Sequence, residues 1–575
     1  MDSQSNTVVI LGAGINGAAL ARELALNRVP VMVVDTADIA SGTTAYSSRL
    51  IHGGLRYLEY GEFDLVRESL AERTRWLQLA PHLVKPLQLF IPVGNWWGGL
   101  WSAARRFLHL PKKPSPRPSP HSGEGMTKPR GLVTVRTGLW LYDRYARDPS
   151  LSKSRVHKVG TSQGLPVDAK KYAWLCSYMD AQVLYPERMT VELLQDAAQA
   201  AQESGTPFEV LTYHRATIAD GTVTIRSLRD PHTAERSITP AAIVNATGAW
   251  VDQTLATLHV PEKQLIGGTK GSHFVTHQQA LKQTLDGRAI YAEAADGRPV
   301  FVMPFGEGTL VGTTDEPFHG DPHDALATEV ELDYLVRAVN EVLPDVRLTR
   351  ADIDLHYCGV RPLPYSDASL TAAITRRHWL HEHANTPIPM FSIIGGKLTT
   401  CRSLAQAATA TILPKLGLAA TVNSQARPLL GGEKYPQTGA LVAEEWQRLA
   451  TRFGLHREQV KSLWSLFGMQ TRELLRELTE RGEFSPANLA GTELPRCIVR
   501  WVARHEWAAT LGDLVERRLM LLYHPRLSLA TLNDLADELI AVHRLAPDNK
   551  ETEMGLVRER LRTRFGKQLV RKEEH

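Results

Sequence analysis

The chain of 575 residues is 43% hydrophobic and 22% charged, which supports a large buried core and excludes disordered, collagen-like and small disulfide-stapled proteins. At roughly 150 residues per domain, two or three domains are expected. Its 66 basic and 62 acidic residues leave a net charge of +4, too small an excess to imply nucleic-acid binding by itself.

Residues 8–11 read as a buried strand, 18–26 as a helix and 31–34 as a second strand, the opening of a dinucleotide-binding unit. Gly12-Ala13-Gly14-Ile15-Asn16-Gly17 joins the first strand to the helix, and Asp35 ends the second strand. In such a turn Gly12 permits the tight bend, Gly14 lets a pyrophosphate approach the backbone, and Gly17 lets helix and strand pack closely. Asp35 can accept a hydrogen bond from a ribose hydroxyl. The helix N-terminus adds the positive end of a dipole. Dinucleotide binding follows, without a choice between NAD and FAD.

A loop at residues 47–57 combines Ser47, Ser48, Gly53 and Gly54 with Arg49, His52, Arg56 and Tyr57. It can lie against a ring system and aim an arginine at an anion. An amphipathic helix is expected over 62–79, with Leu65, Val66, Ser69, Leu70 and Leu77 on one face and Pro81 ending it. Residues 95–109 set Trp96, Trp97 and Trp101 beside Arg105 and Arg106, the composition of a segment lying on a membrane surface. Residues 111–130 hold six prolines and few apolar residues, and read as a surface insertion.

Strands are expected at 242–245, 300–304, 309–311 and 390–394. Asn245-Ala246-Thr247-Gly248-Ala249 follows the first and can present backbone groups to a cofactor. Gly395-Gly396-Lys397-Leu398-Thr399-Thr400 precedes a helix and can aim free amides at a flavin ring. Lys270-Gly271-Ser272-His273, Gly312-Thr313-Thr314-Asp315 and Gly359-Val360-Arg361-Pro362 each set a glycine beside a group that binds or polarises oxygen. These distant turns are expected to converge.

Gly431, Gly432, Pro436 and Gly439 look like a linker, after which helices are expected at 440–451, 471–481, 496–511 and 528–543, with fraying after Phe565. His378, His381 and His383 lack a complete ligand set at zinc spacing, so no metal is expected. Cys176, Cys358, Cys401 and Cys497 form no CxxC pair, which fits a reducing cytosol. No apolar run approaches the roughly 18 residues of a membrane span, and no signal peptide opens the chain.

Taken in order, GxGxxG, SSRLIHGGLRYLE, NATGAWV, KGSH, VGTTD, GVRPL and GGKLTT resemble the FAD-dependent glycerol-3-phosphate dehydrogenase family, from Val8 to about Thr400. His505-Glu506-Trp507 and Arg517-Arg518 extend the likeness into the helical part. The resemblance implies an α/β fold: an FAD-binding Rossmann-type domain, an interleaved mixed-sheet substrate domain and an all-helical C-terminal domain. Residues 1–425 would bind FAD and substrate, and 426–575 would form the helical domain.

The implied reaction oxidises sn-glycerol 3-phosphate to dihydroxyacetone phosphate, with hydride passing to flavin and electrons to a membrane quinone. Arg56, Tyr57, Lys270 and Arg361 would bind substrate, and Arg56, His52, His273, Asp315 and Arg361 would serve catalysis, His52 and His273 being the candidate bases. FAD would meet Gly12, Gly14, Gly17, Asp35, Ser47, Ser48, His52, Gly53, Thr247, Gly248, Gly396, Lys397, Leu398 and Thr399. The chain would sit in the cytoplasm, peripherally on the inner membrane's cytoplasmic face, with a homodimer left open and no nucleic-acid partner. One departure stands out, Tyr185-Pro186-Glu187-Arg188-Met189 replacing an acidic Asp-Asp-Ala-Arg-Leu type sequence. Two rival readings stay open: a related FAD-dependent amine or amino-acid oxidase, and an inactive FAD-binding membrane interaction protein.

Overall fold

The computed structural model describes residues 6–97, 131–146, 148–294, 296–365 and 377–570. Most of the expected membrane-surface segment and all of the proline-rich stretch lie outside these residues. Two large sheets organise the chain. The first has six strands in the order Trp379–His383, Met390–Ile394, Ala242–Asn245, Val8–Leu11, Val31–Val34 and Phe208–Leu211. Every neighbouring pair is parallel except the edge pair Trp379–His383 with Met390–Ile394.

Val8–Leu11 is apolar at all four positions because both faces are covered. Val8 and Ile10 pack with Leu20 and Leu24 of the helix Ile15–Leu26, whereas Val9 and Leu11 pack with Val223 and Ile225 of a three-stranded sheet. Alternate side chains thus enter two different cores. The parallel register sets Leu11 beside Asn245, and Asn245 beside Ser392. Three turns therefore leave the same carboxyl edge of the sheet, where ligands of open parallel sheets bind.

The second, ten-stranded sheet carries the other half of the site. Its long antiparallel pair Ile266–Thr276 and Ile353–Pro364 aligns His273 with Tyr357, Gly271 with Gly359 and Thr269 with Arg361. The helix Glu329–Val342 covers this sheet through Leu332, Leu335 and Val339, and starts with a Thr328–Glu331 capping box.

The chain after residue 425 departs from expectation at three places. The helix foreseen over 496–511 stops at His505, because Trp507 takes a left-handed backbone with φ of +53°. Gly431 and Gly432 are buried rather than linker-like; a Cβ on Gly431 would meet Phe467 O at 2.6 Å. Residues just past Phe565 are pinned, since buried Lys567 reaches Asp354 at 2.6 Å.

Candidate active site

Where the two sheets meet, a cavity of about 590 Å³ opens. Gly12, Gly14, Asp35, Ser47, Ser48, His52, Tyr57, Thr247, Gly248, His273, Arg361 and Gly396 to Thr399 all line it. The distant turns thus converge, except that no residue of Gly312–Asp315 lines the cavity. Gly17, Gly53, Arg56, Lys270 and Asp315 are not among its lining residues.

One end is built on the Gly12–Gly17 turn. Gly12 has φ of +106°, and a Cβ there would stand 2.8 Å from Ala246 O. A Cβ on Gly17 would stand 2.0 Å from Gly12 O. Gly14 differs: its nearest atom would be Thr44 Oγ1 at 3.4 Å, ordinary contact, so the protein itself tolerates a side chain there. Thr44 Oγ1 also accepts the Ile15 amide at 3.1 Å. Asn16 Nδ2 donates to Gly395 O at 3.3 Å, while its buried Oδ1 has no hydrogen-bond partner among the described residues. Asp35 accepts the Ala13 amide at 2.7 Å and the Ala37 amide at 2.9 Å, and burial pushes its carboxyl up to about 6.

At the other end stand polar groups suited to a small oxygenated ligand. His273 Nε2 lies 2.9 Å from Ser48 Oγ, and its ring stacks on Tyr357 at 4.9 Å. The His52 amide donates to Thr399 Oγ1 at 3.1 Å. Lys397 Nζ rides 4.0 Å from the centre of the Tyr57 ring. Arg361 is fixed by Asp315 Oδ1 at 2.9 Å, Thr313 Oγ1 at 2.8 Å and Thr314 O at 3.0 Å. It is a preorganised positive charge at the cavity wall.

Both histidines are neutral at physiological pH. Burial, and then the Arg361 and Arg49 charges, hold His273 down to about 3. Burial lowers His52 to about 4, helped by Lys397 and opposed by Asp180. The unfolded chain therefore binds protons below the ordinary value of 6.5 while the folded chain does not. Stability rises with pH across that window and falls as the solution is acidified. Comparing urea midpoints of the apoprotein at roughly pH 7 and pH 5, His273→Asn should lose less on acidification than the parent. An equal loss would contradict the assigned depression.

Three of the residues outside the wall, Gly53, Lys270 and Asp315, have other partners. The Gly53 amide donates to Tyr142 OH at 2.9 Å, a bond to the supporting core. Lys270 pairs with Glu331 at 2.7 Å and donates to Leu326 O, which commits the charge expected to bind substrate. Asp315 acts through Arg361 rather than at the wall. Gly17 lies behind the turn it shapes. Arg56 stands on the short helix Leu55–Tyr60, one residue before Tyr57.

Arg49 is the residue whose role sequence reasoning missed. Fully buried, it grips Glu187 through both oxygens at 2.9 and 2.6 Å, meets Tyr523 OH at 2.5 Å and lies over the Phe305 ring. The departure at 185–189 thereby gains a structural reading. Glu187 anchors the 47–57 loop through Arg49, and Arg188 pairs with Glu506 at 2.5 Å. None of these five positions lines the cavity.

Asp38, three residues after Asp35, links the first turn to the helical domain. Arg518 donates to both its oxygens at 2.8 and 2.7 Å, and Arg517 Nε reaches it at 2.5 Å. Burial works to raise the Asp38 carboxyl, but the Arg518 and Arg517 charges overcome it and hold it below the ordinary carboxylate value.

Among the described residues, no helix is long and apolar enough to cross a membrane. Residues 7–402 match the family described as FAD dependent oxidoreductase, and residues 422–549 match the C-terminal domain of alpha-glycerophosphate oxidase. A glycerol-3-phosphate dehydrogenase of Synechocystis sp. is 32% identical over 89% of this chain and 88% of its own length. The aerobic glycerol-3-phosphate dehydrogenase of Escherichia coli is 30% identical over 90% of this chain and 94% of its own. In fold, the FAD-complexed glycerol-3-phosphate dehydrogenase of Bacillus halodurans superposes with a TM-score of 0.68, covering 98% of this chain and 95% of that one at 21% identity. The chain belongs to the FAD dependent oxidoreductase family and, within it, to the glycerol-3-phosphate dehydrogenases.

Proposed function

We propose that this chain oxidises sn-glycerol 3-phosphate to dihydroxyacetone phosphate with FAD, residues 1–425 performing the reaction and 426–575 bracing them. The observation that carries this reading is one cavity that joins the Gly12–Gly17 turn to His273, Arg361 and Lys397. The residues fit the cofactor: the tight turn leaves open space at Gly14, and Asn16 presents a buried oxygen with no partner among the described residues. Gly12, Gly14, Asp35, Thr247 and Gly248 would hold the dinucleotide, and Ser47, Ser48, His52 and Gly396 to Thr399 would surround the ring. Bound FAD supplies the two-electron acceptor.

His273 is assigned to take the C2 hydroxyl proton, being neutral and oriented by Ser48 and Tyr357. The fixed Arg361 charge favours negative charge as it builds on that oxygen. Arg56, which stands outside the wall beside Tyr57, is assigned to the phosphate together with Lys397 at the wall. Its buried Nε has no acceptor among the described residues, a costly state that an anion would relieve. Tyr57, beside it, lines the cavity.

The test is the rate of anaerobic flavin bleaching on mixing with sn-glycerol 3-phosphate, sarcosine or glycine. Only the first should bleach the parent. His273→Asn should slow the limiting rate about 10²–10⁴-fold and His52→Asn much less. Arg56→Ala should raise the half-saturating concentration about 10–100-fold, the worth of a charged hydrogen bond. Bleaching by sarcosine alone would favour the amine oxidase reading, and none by any of the three would contradict the proposal.

Electron delivery to a membrane quinone completes the proposal. Trp96 and Trp97, 52% and 70% exposed, support contact with a bilayer surface. Anionic liposomes should sediment the parent and recover less of a Trp96→Ala, Trp97→Ala variant. Equal recovery would remove these residues from the contact.

A further inference from the structure

Outside the cavity, His381 and His383 occupy alternate positions of the edge strand Trp379–His383, so both rings emerge on one face, 4.8 Å apart. His378, the third histidine of the sequence cluster, faces Glu68 instead, at 3.6 Å. The fold supplies Glu262, 119 residues before His381, from the turn that feeds the strand Ile266–Thr276. Glu262 Oε2 lies 3.0 Å from His381 Nε2 and 3.1 Å from His383 Nδ1.

We propose that Glu262, His381 and His383 form a binding site for a borderline divalent cation of the zinc type, with solvent as the fourth ligand. Ligands about 2.0–2.1 Å from a tetrahedral zinc stand about 3.3 Å from one another, so the carboxylate oxygen need move only a few tenths of an ångström from each nitrogen, and all three ligand atoms already lie within 4.8 Å of one another. Two imidazoles and one carboxylate suit zinc better than magnesium or calcium, which take mostly oxygen. Behind the site, Ser392 Oγ meets His383 Nε2 at 2.7 Å, the kind of outer contact that fixes the ring and frees its other nitrogen. His383 is wholly buried, whereas Glu262 and His381 are 23% and 29% exposed, which leaves an entrance for the ion and water. The ion would staple the turn before the His273 strand to the edge of the first sheet.

Calorimetric titration of chelator-treated holoenzyme with zinc chloride tests the site. One zinc per chain should bind with micromolar or tighter affinity, and magnesium chloride should give no heat of binding. Glu262→Gln and His381→Gln should each abolish it, and Ser392→Ala should weaken it about 10–100-fold. Retained flavin absorbance would show that each variant is folded, and exposed His381 decides the matter if Glu262→Gln loses flavin. No saturable binding, or unchanged binding in His381→Gln, would overturn the proposal, since hydrogen bonding alone would then account for the cluster.

Discussion

Gly14→Ala should give a folded protein without flavin, whereas Gly17→Ala should fail to fold. The two substitutions add the same methyl group to the same turn. At Gly17 the new carbon would stand 2.0 Å from Gly12 O, and backbone cannot yield that distance. Sheet and helix would have to part, which opens the core that Val8, Ile10, Leu20 and Leu24 share. At Gly14 the backbone is extended, with φ of −75°, and only Thr44 Oγ1 at 3.4 Å comes near. The methyl group there meets no protein obstacle and occupies cavity space assigned to the pyrophosphate. Apoprotein unfolding of Gly14→Ala should match the parent, and FAD affinity should drop more than about a hundredfold, some 2.7 kcal/mol. Parent-like FAD affinity in this variant would mean that the cofactor does not approach the turn.

Asp38→Ala should destabilise the chain by about 3–5 kcal/mol, the range for breaking a buried charge network by removing one partner. Asp38 and Arg518 are both inaccessible, and after the substitution Arg518 would still donate to the Glu506 carbonyl at 2.9 Å but would lose its carboxylate. The loss should extend to the cofactor. Asp38 lies in the loop that returns to the first turn, where the Ala40 amide donates to Ala13 O at 3.0 Å. FAD dissociation and urea unfolding, measured on one preparation, should both shift. Arg476→Ala, at an exposed pair with Glu473, should shift neither. An unchanged Asp38→Ala midpoint would show that the helical domain does not brace the turn.

The short strands at 8–11, 31–34, 242–245 and 390–394 appear at the bounds their sequences suggest. Each is a short apolar run with a turn residue at its end, and burial on both faces of a parallel sheet demands that pattern. The glycine turn was legible for a related reason: backbone geometry at Gly12 and close packing at Gly17 restrict residue type directly. Charged side chains were harder to place. Lysine and arginine look alike in sequence whether they face a ligand or a carboxylate, and Lys270 finds its partner 61 residues away at Glu331. Arg49 and Lys567 carry charges that suggest surface, yet both are buried by partners from distant segments. The helix expected over 496–511 failed at one backbone angle, at Trp507, which apolar periodicity does not encode.

The proposed function requires one cavity to hold flavin and a small phosphorylated alcohol together. Purified holoenzyme mixed anaerobically with sn-glycerol 3-phosphate should lose its visible flavin absorbance and release one dihydroxyacetone phosphate per flavin reduced. Flavin that stays oxidised under excess substrate, in protein carrying a full complement of FAD, would contradict it.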